Sequence, residues 1–232
     1  MVGARSMKAV VFDVKGSIAH FRKPDTTSTQ LTYPFITPTA IKGLVGAILG
    51  IEDFVTQDKV GLRLLRPVRT VAQQMSMLGK DGNTFNRPTT IELVVNPAYR
   101  IYYAGGEFVE TLDQFLRKGH AVYPLYLGCA YCLTWPRWQA TYEQVDPVTL
   151  DKPVETGTVV PSRIIKELIL KDGHSYSRAG GFLHHYKGQR VFEKSIDFIY
   201  ERNGRNITFI PHDNMDDEID LVRIGEEIVC LY

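Results

Sequence analysis

The order in which strand-like and helix-like segments follow one another in the first half of the chain most constrains its fold. Runs rich in β-branched and aromatic residues alternate with two stretches in which apolar residues recur every three to four positions. The predicted order is strand, helix, strand, strand, helix, strand, over residues 7–14, 38–50, 60–78, 84–104, 108–119 and 126–135. This is the order of the ferredoxin-like α+β fold.

We therefore predict a ferredoxin-like domain over residues 7–135 and a β-rich extension over residues 136–232. Residues 1–6 precede a second methionine, Met7, and are set aside as a tag or an upstream start. The composition, with 44% hydrophobic and 23% charged residues, is that of an ordinary globular protein. No signal peptide or membrane-spanning run is recognised, and three cysteines do not form a disulfide framework. We expect a cytoplasmic protein that does not bind membranes.

The first predicted helix begins at Pro38, behind Thr37 as N-cap, and ends at Gly50. Its two interior glycines, Gly43 and Gly46, together cost about 2 kcal/mol of helix stability relative to alanine. Because they share one helical face with Gly50, we predict that this face packs closely on the sheet. A P-loop is excluded, since no Gly-Lys-Ser or Gly-Lys-Thr follows the glycines.

The N-terminus of this helix is a candidate anion-binding site. Thr37, Thr39 and Lys42 lie around backbone N–H groups that have no partner within the helix. The helix dipole adds positive potential at the same point, so we predict that this end meets a phosphate.

The loop after the first strand carries a second candidate group. Its sequence at 20–23 is His-Phe-Arg-Lys. Arg22 and Lys23 can neutralise phosphates, while His20 or Phe21 can stack on a base. The alternative for Arg22 is an exposed charge that is simply solvated. Tyr126, in a later segment, is a candidate contact or a buried tyrosine before a tight loop.

The middle pair of predicted strands is too long for a sheet alone. Their surplus, about residues 72–90, is predicted to project as a β-hairpin arm. It combines amide, sulfur, aromatic and basic side chains, with Gln74, Met75, Asn86 and Arg87 as candidate contacts. The alternative is a hairpin without a partner, although long unprotected hairpins normally need cover.

Charge is unevenly distributed along the chain. The net charge is +1, yet residues 213–232 hold seven of the 26 acidic residues and one of the 27 basic ones. The rest of the chain is therefore basic, which permits a polyanionic partner without requiring one.

No motif indicates a metal or a cofactor. Cys129 and Cys132 form a single Cys-x-x-Cys pair, and in the strand predicted there their side chains point to opposite faces. The chain has no His-Glu-x-x-His spacing, dinucleotide glycine fingerprint or Gly-x-Ser-x-Gly elbow. We predict that no metal and no cofactor is bound.

Three segments carry a resemblance to a known family: FDVKGSIAHFRKPDTTSTQLTYPFITPTAIKGLVGAILG, RPTTIELVVNPAYRIY and YPLYLGCAYCL, at residues 12–50, 87–102 and 123–133. In order and spacing they resemble the CRISPR-associated family-five subunits of type I Cascade surveillance complexes, most like the type I-B branch. That family belongs to the repeat-associated mysterious protein superfamily, whose folds are similar to RNA-recognition motifs. The Pro, Thr, Ala and Gly pattern of the first helix is the most specific part.

The resemblance implies a non-catalytic, RNA-binding subunit of a prokaryotic antiviral ribonucleoprotein complex. Such subunits cap and hold the 5′ handle of the guide RNA, and their hairpin thumb kinks the RNA where handle meets spacer. The implied partners are the guide RNA, the helical backbone subunit and the large subunit, with target DNA contacted only indirectly. The residues expected to bind RNA are His20, Arg22, Lys23, Thr37, Thr39, Lys42, Gly43, Gln74, Met75, Asn86, Arg87 and Tyr126.

An enzymatic alternative is also open. In type I-C, family-five relatives cut the guide precursor without metal, using groups such as Tyr, Lys and His. Here Lys118 and His120 lie near the corresponding region, but Gly119 separates them, and this spacing departs from that of the cutting relatives. A helix cap or a surface pair is the simpler interpretation of these two residues.

Overall fold

The computed structural model describes residues 7–26, 29–78, 87–148, 152–214 and 218–232, and these residues are predominantly β-structure. The elements of the first half are β1 (Lys8–Lys15), β2 (Ile18–Ala19), β3 (Thr29–Gln30), α1 (Pro38–Leu49), β4 (Lys59–Leu64), β5 (Thr70–Met77), β6 (Arg87–Val95), β7 (Ala98–Gly105), α2 (Val109–Arg117) and β8 (Arg137–Tyr142). Those of the second half are β9 (Asp146–Pro147), β10 (Val154–Thr156), β11 (Val160–Pro161), a short 3-10 helix (Ser162–Ile164), β12 (Ile165–Ile169), β13 (Tyr176–Tyr186), β14 (Phe192–Glu201), β15 (Ile207–Pro211), β16 (Asp220–Ile224) and β17 (Glu227–Leu231).

A four-stranded antiparallel sheet organises the first half, in the order β4, β7, β1, β8. Side chains of β1 alternate between its two faces, as a strand requires. Val10 and Phe12 belong to the main core, which also contains the buried residues of α1 and α2. Ala9 and Val11 belong to a second core, which is shared with the hairpin of β16 and β17. The sheet is therefore covered by helices on one face and by the C-terminal hairpin on the other.

Helix α1 begins and ends where local signals predict. The Thr37 hydroxyl accepts a hydrogen bond from the backbone N–H of Ala40 at 3.1 Å. At the other end Gly50 adopts a left-handed conformation, with a φ of 74°, which glycine tolerates without strain.

The glycines of α1 do not all pack as predicted. A Cβ on Gly46 would lie 2.7 Å from the Cβ of Phe54, so this position approaches the loop after the helix rather than the sheet. A Cβ on Gly43 would meet nothing within 4 Å, and Gly43 is exposed. The prediction of one continuous packed glycine face is wrong, because the neighbouring chain covers only part of that face.

The strand predicted at 126–135 is absent. The segment forms turns, with the N–H of Cys132 donating to the carbonyl of Cys129 at 2.8 Å. Gly128 reverses the chain with a φ of 87°, and a Cβ there would lie 2.0 Å from the carbonyl oxygen of His20. The fourth strand is β8, so the sheet continues beyond the predicted domain boundary at 135. Cys129 and Cys132 thus lie in one turn, not on opposite faces of a strand.

The arm is built from β5 and β6, which pair antiparallel from Thr70 opposite Val94 to Met77 opposite Arg87. β6 also pairs with β2 and β3, so the arm grows from a sheet separate from the central one. Each long predicted run is broken: Pro67 lies between β4 and β5, and Pro97 between β6 and β7. Residues 79–86, the predicted tip, lie outside the described residues.

The second half packs onto the first through aromatic rings. Phe182 of β13 stacks on Tyr33 at a centroid distance of 4.3 Å and on Phe35 at 5.1 Å. Phe182 also meets Phe198 of β14 edge-on at 5.2 Å. The hairpin of β13 and β14 therefore closes over the segment that leads into α1. Within the ranges given above, no helix is long and apolar enough to span a membrane.

Candidate nucleic-acid interface

Four predicted residues meet around one cavity at the start of α1. His20 and Arg22 come from the loop after β2, and Thr37 and Thr39 from the cap and first turn of the helix. The cavity has a volume of about 450 Å³, and we call it the His20 cavity. One concave surface is therefore lined by residues from two separate parts of the sequence, the basic loop and the helix cap.

His20 is held in place by the arm. Its Nδ1 lies 2.8 Å from the backbone carbonyl of Glu92 on β6, and because a carbonyl only accepts, Nδ1 carries the proton. Its Nε2 is then an acceptor, and this buried atom has no hydrogen-bond partner among the described residues. Buried polar atoms without partners are rare and call for a functional explanation.

Arg22 and Lys23 lie side by side but face different surroundings. Arg22 is exposed at the rim of the His20 cavity, where its guanidinium donates to the carbonyl of Thr26 at 3.4 Å. Lys23 instead lies 5.8 Å from the ring centroid of Tyr33. It lines a separate cavity of about 310 Å³, together with Arg178 and Arg202, which the sequence analysis did not single out.

The first turn of α1 offers less to an anion than predicted. The side chain of Thr37 caps Ala40 and also lies 3.0 Å from the hydroxyl of Thr39. Ile41 donates its N–H to the carbonyl of Thr37 at 3.0 Å, and Pro38 has no N–H. The backbone N–H of Thr39 is therefore the remaining donor of this turn.

Lys42 and Gly43 do not line the His20 cavity. Lys42 is half-buried, and its ammonium donates to the carbonyl of Thr56 at 3.4 Å. Burial lowers the pKa of Lys42. Gly43 is exposed and lies between two other cavities, both of which it lines.

The predicted arm residues lie on both faces of the hairpin. Gln74 and Met75 are adjacent on β5, opposite Thr90 and Thr89, and therefore point to opposite faces. Gln74 and Arg87 are exposed, whereas Met75 is partly buried. Asn86 lies outside the described residues.

Tyr126 is exposed in the turn segment and not buried. It lines a cavity of about 600 Å³ beside α1, together with Gly43 and Gly128. Gly128 also lines the His20 cavity, so the two cavities are neighbours.

Lys118 and His120 line none of these cavities. Both are exposed after the end of α2, and the ring of His120 rests 5.2 Å from that of Phe115. The chain that follows bonds to the C-terminal end of α1, with the N–H of Val122 donating to the carbonyl of Ile48 at 3.1 Å. Since twelve helical residues span about 18 Å, this pair lies at the opposite end of α1 from Thr37.

Sequence reasoning missed several residues that line cavities beside α1. Gln30, Leu183 and Cys129 line the His20 cavity, and His184 and His185 line another. The adjacent histidines were visible in the sequence but matched no metal or catalytic spacing. Among the described residues no three His, Cys, Asp or Glu side chains are grouped so that they could hold a metal ion.

Comparison with known proteins shows the family. The sequence model of a family described as CRISPR-associated protein (Cas_Cas5) matches residues 9–197, which is most of the chain. The chain therefore belongs to this family of CRISPR-associated proteins, as its motifs predict. The closer assignment to the type I-B branch stays a prediction. No curated protein sequence matches the chain.

Two solved structures are similar in fold. One is a chain of a "CRISPR RNA-guided surveillance complex", with 14% identity and a TM-score of 0.53, covering 88% of this chain and 91% of that chain. The other is a CRISPR protein from Archaeoglobus fulgidus, with 10% identity and a TM-score of 0.54, covering 96% of this chain and 98% of that chain. At these identities the likeness concerns the fold alone.

Proposed function

We propose that the chain is a non-catalytic subunit of a type I Cascade complex that binds and caps the 5′ handle of the guide RNA. Its family membership supports a role in CRISPR defence. A chain of an RNA-guided surveillance complex has a similar fold, which is consistent with a role as a subunit of such an assembly. The partners we propose are the guide RNA, the backbone subunit and the large subunit, with target DNA engaged only through them.

The topology of the first half supports a ferredoxin-like domain. Its central strands follow the order second, third, first, fourth, with both helices contributing to the core on one face. The arm of β5 and β6 would then be the thumb of this domain.

The connection between the arm and the His20 cavity carries the proposal. On one side, β6 of the arm positions His20 through the Glu92 carbonyl. On the other side, Gln30 lines the cavity and its amide lies 4.0 Å from the sulfur of Met77 on β5. A strand of RNA that follows the arm would therefore pass directly from the thumb into the cavity.

The chemistry of the cavity suits a splayed single strand. The guanidinium of Arg22 can pair with a phosphate, and the hydroxyl of Thr39 can bond to a phosphate or a sugar. Nε2 of His20 can accept a hydrogen bond from a ribose 2′-hydroxyl or from a base N–H once a ligand reaches it. On the arm, Gln74 and Arg87 can contact the bases and phosphates of the part of the RNA that has not yet reached the cavity.

A non-catalytic role is favoured by the position of Lys118 and His120. Metal-independent cleavage needs an acid or a base within hydrogen-bond reach of the 2′-hydroxyl at the bound phosphate. These two residues are exposed at the end of α1 that is distant from the His20 cavity. RNA held in that cavity would not bring a scissile phosphate to them.

Incubation of the purified protein with labelled repeat RNA in EDTA tests this proposal. We expect the RNA to be bound and uncut, with Lys118→Ala and His120→Ala behaving as wild type in gel shift. Arg87→Ala should weaken binding, whereas the matched control Arg223→Ala on the C-terminal hairpin should not. A discrete product that vanishes in His120→Ala would instead establish the endoribonuclease alternative.

A further inference from the structure

Two adjoining cavities lie beside α1 and are distinct from the His20 cavity, with which the larger one shares Thr39. Their volumes are about 270 Å³ and 220 Å³, and we call them together the Lys42 cavity. The walls come from α1, from the loop after it, and from the hairpin of β13 and β14, and in the smaller part also from Lys59, Glu218 and Tyr232. The side chains that line both parts are Lys42, Phe54, His184, His185 and Tyr186.

Lys42 brings a poorly compensated positive charge to this cavity. Its ammonium forms no ion pair within the described part of the chain, and its bond to the Thr56 carbonyl is long at 3.4 Å. The carboxylates of Asp58 and Glu107 are near enough to influence it, but both are already engaged. Asp58 accepts from the backbone N–H groups of residues 106–108, and Glu107 accepts from the hydroxyl of Thr56 and the N–H of Gln57. Burying an ammonium without a close partner is costly, so an anion in the cavity would relieve this cost.

His184 brings an imidazole to the same cavity. It is 8% exposed, and its ring centroid lies 6.4 Å from that of His185. Burial and the nearby charge of Lys42 lower the pKa of His184 to about 4, so the ring is neutral at pH 7. The neutral imidazole carries one N–H donor and one acceptor nitrogen, and either can bond to a ligand in the cavity.

The remaining polar groups leave the cavity favourable to an anion. One carboxylate lines each part, and both are already engaged. Asp53 in the larger part accepts from the hydroxyl of Tyr186 and from the N–H of Gln189 at 3.0 Å. Glu218 in the smaller part pairs with Lys194 and Arg163. Arg190 lies exposed at the mouth. Thr39 also lines this part, so the positive end of the α1 dipole faces it.

We propose that the Lys42 cavity is a phosphate-binding site, in which Lys42, His184 and Arg190 hold the phosphate. The apolar walls formed by Phe54 and Phe192 leave room for the rest of a nucleotide beside it. The phosphate comes either from a phosphodiester of an RNA strand or from a free phosphate or mononucleotide. The site is separate from the His20 cavity and stands whether or not that cavity holds the guide handle.

The imidazole signal of His184 in protein carrying ¹³C-labelled histidine provides the assay. Inorganic phosphate, AMP and a short oligouridylate are added separately to the full chain at constant ionic strength, with chloride as reference. We expect at least one of them to shift the His184 signal saturably. A bound anion should also raise the titration midpoint of His184 by about 1 to 3 pH units, against the background of Lys42, Arg163, His185 and Glu218.

Lys42→Met removes the charge but keeps the aliphatic stem. This variant should bind the anion about tenfold or more weakly, as measured by the concentration that half-saturates the shift of the His184 signal. The control Lys152→Met should bind it as wild type does. A response to phosphate and AMP identifies a small-molecule site, and a response to the oligouridylate alone identifies an RNA phosphodiester. If no probe moves His184 beyond chloride in the wild type, or if Lys42→Met binds as tightly, the proposal is overturned. Guide binding that depends on Arg22 would still be intact in that case.

Discussion

The two interior glycines of α1 are chemically identical, yet the structure predicts opposite results when each is replaced by alanine. Gly43 is exposed, and an added Cβ would meet nothing within 4 Å. Gly46 is buried, and its Cβ would lie 2.7 Å from the Cβ of Phe54 and 3.1 Å from the carbonyl of Ile51. We expect Gly43→Ala to stabilise the protein and Gly46→Ala to destabilise it.

The magnitude follows from two terms. Alanine gains about 1 kcal/mol over glycine in a helix interior, and this term applies equally to both positions. Inserting a methyl group into a filled space costs about 1 to 3 kcal/mol, and only Gly46→Ala incurs it. Gly43→Ala should therefore gain about 1 kcal/mol over wild type, and Gly46→Ala should lose up to about 2 kcal/mol net, so the two variants differ in free energy of unfolding by about 1 to 3 kcal/mol. For a chain of this length, each kcal/mol corresponds to about 2 to 4 °C in Tm.

Urea unfolding followed by circular dichroism measures this difference directly. Each variant is the control for the other, because the helix-propensity term cancels between them. If Gly46→Ala proves as stable as Gly43→Ala, the close approach of Phe54 is refuted. If Gly43→Ala destabilises the protein, that face of α1 is covered, contrary to the open surface described above.

Three further predictions concern the charge, backbone and titration of the site. If Arg22 contacts a phosphate, Arg22→Ala should reduce the slope of log affinity for guide RNA against log salt by about one, and an unchanged slope in filter binding would exclude that contact. Gly128→Ala should lower Tm markedly in calorimetry, because a φ of 87° strains any residue other than glycine and the new Cβ would lie 2.0 Å from the carbonyl oxygen of His20. A Tm equal to that of wild type would contradict the turn conformation at Gly128. The pKa of His184 is about 4 in the folded chain against 6.5 ordinarily, so as pH falls the unfolded chain takes up this proton before the folded chain does. The stability that neutral His184 contributes is therefore present above pH 6.5 and is lost as pH falls to 4. His184→Gln should flatten the dependence of unfolding free energy on pH in that window, and an equally steep profile would show that His184 titrates normally.

Part of the fold and of the candidate site could be predicted because its signals are local. Thr37 and Pro38 mark the start of α1, and Gly50 marks its end, through interactions within one helical turn. The His-Phe-Arg-Lys loop stands out through composition alone, and the structure brings His20 and Arg22 to one cavity with Thr37 and Thr39. The order of motifs sufficed to predict the family.

Other parts could not be predicted because they depend on long-range contacts. The apolar run at 126–135 has the composition of a strand, but its backbone is set by the contact of Gly128 with His20, more than a hundred residues earlier. Lys42 was grouped with Thr37 and Thr39 by spacing, yet it bonds to Thr56 and lines the Lys42 cavity instead of the His20 cavity, while Thr39 lines both. The residue pattern and the composition of a segment do not indicate which distant residues it will contact.

The sequence by itself determined the positions of the two helices, the basic body with an acidic C-terminal segment, and the family. These follow from backbone preferences, from charge, and from motif order, which require no knowledge of neighbours in space. Only the tertiary structure decided which glycine is packed, where the fourth strand lies, and that His184 faces Lys42 across a cavity. The physical reason is that burial and desolvation depend on which distant segments meet, as when β13 packs against α1 and buries its own His184 there.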